Sequence, residues 1–316
     1  MKRKLIKQKS AFTITLPIEW IRENNLEKAE EIELTHENNN LLISTENKPK
    51  ILKKTLDLKE GDEHYFRILI ENQYLRGIDL LTLNYQEKTA IEIIQKIISN
   101  LIGFEIIEQK NFSCNISETA MPTTNEFEAI IQRLIYLIEY LSKETLESIK
   151  TDSFDNLNKF EKIISDVRRF SLFCRRTIHK QKIVSRTNEV FLDLLLERLV
   201  ITAYHHYFIY EKLSNLNENK KSKIRKEVIE HYTKSFSLYE KFKKMFFKND
   251  TKEFFEINKL WNELYIDNQT NKLFKNCTEK ESIILFHSMN HAFEVFLIAQ
   301  PNTTELYEEI TKLSKK

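Results

Sequence analysis

The 316-residue sequence predicts an α+β chain that is mainly α: an N-terminal β hairpin domain, a small α/β domain and a C-terminal pair of three-helix bundles. Three observations carry that expectation. Residues 1–48 alternate apolar and polar positions with period two between turn residues. Residues 62–120 switch repeatedly between strand and helix periodicity. From 122 to 316 the chain repeats apolar residues at helical spacing without a glycine, the three glycines being Gly61, Gly77 and Gly103.

The first part reads as four short strands: RKLIKQ, FTITLP ended by Pro17, EEIELTHE, and NLLIST after the Asn38-Asn39-Asn40 turn. Between the second and third, IEWIRENNL places Ile18, Ile21 and Leu26 at the spacing of a helix of one to two turns. So few residues in such short strands cannot bury much surface alone, and dimerisation would supply the missing core. The second part reads as helix EHYFRILIENQYLR, strand GIDLLTLNY, helix EKTAIEIIQKIISNL, then strands GFEIIEQ and FSCNIS. Gly77 and Gly103 each follow a helix, where a left-handed residue ends the turn and glycine fits best. The third part resolves into helices near 123–150, 153–182, 186–215, 221–249, 251–275 and 278–300, with a short tail after Pro301. Six antiparallel helices with short polar joints suit two three-helix bundles.

Composition excludes several classes. The longest apolar runs, Leu134 to Ile138 and Phe293 to Ala299, fall well short of the roughly 18 residues of a membrane span. No apolar signal-peptide core follows the basic start, so a cytoplasmic chain without membrane insertion is expected. Cys114, Cys174 and Cys277 are scattered and show no CxxC or Cys/His spacing, which predicts buried thiols and neither disulfides nor zinc. No P-loop, dinucleotide fingerprint, HExxH or nucleophile elbow occurs, and no catalytic carboxylate pair stands out. The chain is therefore expected not to be an enzyme and to need no cofactor. Formal net charge is +2, so an argument for nucleic acid has to come from a local concentration of cations.

That concentration is Lys2, Arg3, Lys4, Lys7 and Lys9, with no acid before Glu19 and with Arg22 as an extra candidate. Such a stretch is either a solvated strand edge, where lysine blocks aggregation, or a DNA-contacting face. Arg168, Arg169, Arg175 and Arg176 form a second group, in which spacings of seven put Arg168 with Arg175 and Arg169 with Arg176 on common helix faces. Guanidinium groups clasp oxyanions bidentately, so this row is a candidate anion site. His287 and His291 lie four apart with Glu294 three further on, a spacing compatible with a metal but without a further ligand nearby. The adjacent His205 and His206 point to different helix faces.

The order of strand, TLP, short helix with Trp20 and Leu26, then strand-turn-strand resembles the AbrB/SpoVT swapped-hairpin DNA-binding domain. The α/β unit ending in LIGFEIIEQ (101–109) and the six-helix array carrying RRFSLFCRR (168–176) resemble archaeal PhoU-family proteins bearing such a domain in front. The resemblance implies domains at 1–48, 62–120 and 122–316. It implies a homodimer whose interleaved hairpins present a basic surface to DNA, with bundles that sense or bind a partner in phosphate uptake. The alternative is a non-DNA-binding adaptor that docks on a phosphate transporter or sensor kinase and uses its first domain only to dimerise. Two departures stand out. Gln8-Lys9-Ser10-Ala11 and Ala29-Glu30 replace the family's usual glycine-bearing turns. At the positions that hold metal clusters in PhoU-like bundles the chain has Ile164, Arg168, Glu197 and Ile201, which predicts no multinuclear metal site.

Overall fold

The computed structural model describes residues 2–28, 31–37, 40–44, 51–59, 61–120, 123–181, 183–216, 223–266, 272–300 and 303–313. The chain divides into two compact units, Met1–Ile51 and Leu52–Lys316.

In the first unit β1 (Ile6–Gln8) pairs antiparallel with β2 (Ala11–Thr13). Gln8 lies opposite Ala11, so Lys9 and Ser10 form a two-residue loop. Lys9 adopts φ 51°, the left-handed conformation that primed hairpin turns require and that glycine would reach without steric cost. Pro17 precedes α1 (Ile18–Glu23), its fixed φ of −64° setting the entry to the helix. A second hairpin joins β3 (Glu33–Glu37) to β4 (Asn40–Ser44), with Glu37 opposite Asn40. Asn38, Asn39 and the Ala29-Glu30 pair lie outside the described residues. Among the described residues of this unit Leu26 alone is buried, while Leu5, Phe12, Ile18, Leu34 and Leu41 are all exposed, Phe12 by 65 %.

The second unit opens with a strand that sequence periodicity did not indicate, β5 (Lys53–Leu58). It lies parallel to β6 (Leu80–Tyr85), the connection between them running through α2 (Glu63–Leu75). After α3 (Ala90–Ile98) the chain adds β7 (Phe104–Lys110) and β8 (Ser113–Glu118), completing a four-stranded sheet in the order β5-β6-β8-β7. β6 turns Leu81, Leu83 and Tyr85 inward, where they meet Ile70 and Tyr74 of α2, Ile94 of α3 and Ile116 of β8. Gly103 takes φ 81°, and a Cβ there would come within 2.4 Å of the Ala120 carbonyl oxygen. The expected role of glycine at this turn thus has a second, steric reason.

The helical body consists of α4 (Thr124–Thr151), α5 (Leu157–Lys180), α6 (Arg186–Ser214), α7 (Lys226–Lys248), α8 (Lys252–Trp261), α9 (Glu279–Ile298) and α10 (Thr303–Leu313). Thr123 with Glu126 and Thr278 with Glu281 form capping boxes at the starts of α4 and α9. In a body without glycine, α4 and α7 end instead on Asp152 and Asn249 in left-handed conformation, the two residue types that tolerate it best after glycine. The helix expected over 251–275 is shorter: α8 stops at Trp261 and continues as one π-helical stretch, Asn262–Ile266. α4, α5 and α6 pack as one triplet, and α7, α8 and α9 as another. Contacts of α6 with α9 and of α4 with α7 join the triplets, and a single continuous apolar core runs through both. Pro122 and Pro301 lie outside the described residues.

Candidate nucleic-acid interface

Lys2, Arg3 and Lys4 precede β1, Lys7 sits in its middle opposite Phe12, and Lys9 occupies the hairpin loop. All five side chains are exposed, and none has a carboxylate partner among the described residues. The local reason is sequence: β1, β2 and their loop contain no acid, so no cross-strand ion pair is available to neutralise them. Charges held in this way remain available to a polyanion, whose binding would be driven by counterion release. Arg22 differs. It lies on α1 and pairs with Glu27 at 3.2 Å in an exposed bridge, beside Glu19 and Glu23 on the same helix.

The four arginines of α5 do not form one anion cradle. Arg168 reaches Glu71 of α2 with two nitrogens, and Arg169 pairs with Asp166 at 3.0 Å. Arg175 forks onto Asp193 of α6 at 2.8 and 3.1 Å, with Glu197 at 3.4 Å. Arg176, 1 % exposed, donates to the carbonyls of Tyr74 and Ile78 and to Glu118 at 2.8 Å. Its guanidinium also lies 4.7 Å from the Tyr74 ring and 4.6 Å from the Phe104 ring. One turn further, Lys180 bonds Asp79 and Glu118. These contacts join α5 to the α/β sheet, and Leu172 of α5 is buried within the sheet's own core. Glu71 and Glu118 lie 97 and 58 residues from the arginines they engage, which is why spacing along α5 did not reveal those pairings, whereas Asp166 is only three residues from Arg169.

His287, His291 and Glu294 also part company. His287 Nδ1 faces His205 Nδ1 at 3.4 Å, and Glu294 is held by Arg198 at 2.8 Å. His291 Nδ1 meets the Ser235 hydroxyl at 2.8 Å, and its ring lies 4.5 Å from that of His206. His206 bonds Ser142 at 2.7 Å and Tyr232 at 2.8 Å, and His231 bonds Ser288 at 2.8 Å. Burial holds all five imidazoles neutral, pushing His205, His231 and His287 down to about 4 and His291 to about 3, with His206 well below its usual value. Sequence reasoning missed this polar seam because its members come from four helices. Among the described residues no group of three or more His, Cys, Asp or Glu side chains could hold a metal ion. Cys114 and Cys174 are buried, whereas Cys277 is half-buried and accepts from Arg225 at 3.1 Å.

Among the described residues no single helix is long and apolar enough to cross a membrane. No protein-family model matches the chain, and no curated protein or solved structure does either.

Proposed function

We propose that the chain is a cytoplasmic, homodimeric, DNA-binding transcriptional regulator, without catalytic activity of its own, whose helical body senses or binds a partner in phosphate homeostasis. One observation carries the DNA-binding part: five exposed cations, without a carboxylate partner among the described residues, sit on and beside a hairpin in a unit whose described residues bury Leu26 alone and leave Leu5, Phe12, Ile18, Leu34 and Leu41 exposed. A second copy interleaving with the first would cover Phe12, Leu34 and Leu41 and double the positive charge. The link to phosphate uptake comes from the resemblance of LIGFEIIEQ and RRFSLFCRR to PhoU-family segments, and that of the first unit to AbrB/SpoVT domains supports the mode of dimerisation.

The test is fluorescence anisotropy of full-length protein with duplex DNA at two or more salt concentrations. Binding is expected to weaken with a log-log slope of about −0.9 for each phosphate neutralised. Charge reversal of Lys2, Arg3 and Lys4 should weaken every duplex alike, because phosphate contacts carry no base information. A verified dimer that ignores DNA at low salt ends this reading. It would leave the adaptor that docks on a phosphate transporter or sensor kinase, a reading favoured by aromatic side chains open on the helical body, Phe255 (71 % exposed) and Phe286 among them.

A further inference from the structure

A groove of about 220 Å³ separates α2 and α3 of the sheet region from α5 and α6 of the helical body. Arg67 and Glu71 of α2, Lys96 of α3, Arg168 and Arg169 of α5 and Tyr204 of α6 line it. Four cations thus face one space, brought there by elements that are distant in sequence. Their carboxylate partners are three. Glu71 takes Arg168, Glu63 takes both Arg67 and Lys96 (2.8 Å), and Asp166 takes one nitrogen of Arg169. Among these described groups positive charge is therefore in excess by one.

We infer that this groove binds a small phosphoryl oxyanion, as orthophosphate or as the phosphoryl end of a compact ester. Guanidinium groups present paired donors that match such an anion, and Lys96 adds a mobile point charge. The volume lies below the roughly 300–1,000 Å³ of pockets that enclose drug-sized ligands, which argues for a compact anion over a whole nucleotide. The site is not the row of four arginines expected from spacing. Arg175 and Arg176 face Asp193 and Glu118 elsewhere, and Arg67 and Lys96 take their place. An anion here would touch both sides of the joint between sheet and helices. The inference stands apart from DNA binding and is tested without DNA.

The experiment is isothermal titration of the full-length protein with orthophosphate and, separately, with glycerol phosphate, at fixed ionic strength. Saturable binding of one ligand per chain is expected for at least one of them. The double substitution Lys96→Gln and Arg169→Gln should weaken it at least tenfold, while Lys150→Gln on α4, an exposed lysine outside the groove, leaves it unchanged. Orthophosphate binding alone identifies the free anion as the ligand, and ester binding alone identifies a phosphorylated compound. If the wild-type chain binds neither, or if the double variant binds as well as wild type, the inference is overturned and the four cations serve only to staple the joint.

Discussion

Arg176 is one of several α5 side chains that join the sheet to the helices, with Arg168, Leu172 and Lys180, and it is the most deeply buried of the charged ones. Its side chain is fully buried and saturates two backbone carbonyls and one carboxylate at once. Removing one partner from such an arrangement leaves the others desolvated and unmatched, which costs far more than the bridge itself contributes. Arg176→Met should lower stability by about 3–5 kcal/mol in urea unfolding, whereas Arg22→Ala, which breaks an exposed bridge, should stay within about 0.5 kcal/mol. Equal effects of the two would mean that the buried guanidinium is not the fastener proposed. The contrast also marks what a sequence conveys at this scale. The exposure of Lys2 to Lys9 was legible because no acid stands near them in the chain. The fate of the α5 arginines was not, because Glu71 and Glu118 lie 97 and 58 residues from the arginines they hold.

Among the elements, strands with clear alternation and helices with clear caps were legible in the sequence, and β5 was not. KKTLDL places only Leu56 and Leu58 toward the interior and runs along the sheet's edge, so its alternation is a single apolar pair, too short to stand out from the lysines around it. The π-helical stretch after α8 likewise has no signature in the apolar spacing that suggested a longer helix. The histidine seam between α6, α7 and α9 makes the packing of these helices sensitive to mild acid. Its imidazoles are held neutral by burial in the folded chain but titrate near 6.5 when unfolded. The unfolded state therefore binds more protons below that pH, so stability that is complete above about 6.5 falls as pH drops toward about 4. Each such proton steepens the loss by about 1.4 kcal/mol per pH unit. Urea midpoints between pH 7 and 5 should decline, and His291→Phe should flatten the decline. A wild-type profile that is level over this interval would contradict the assignment.

For the molecule as a whole, the proposed dimer depends on the first unit. Among its described residues the first unit buries one apolar side chain, Leu26, and so little core predicts that its open leucines and Phe12 need a cover. Sedimentation should give twice the 37.9 kDa of one chain, and the paired change Phe12→Asp with Leu41→Asp should return it to the single mass. A wild-type protein that sediments as one chain would remove the basis for a doubled positive surface. The wedge of α5 into the sheet region has a temporal consequence. Glu118 and the carbonyls of Tyr74 and Ile78 leave the ribosome well before the guanidinium that completes them. Arg176 lies 58 residues after Glu118, so translation at about 5–20 residues per second leaves the nascent sheet waiting roughly 3 to 12 s for this guanidinium, with Lys180 following one turn later.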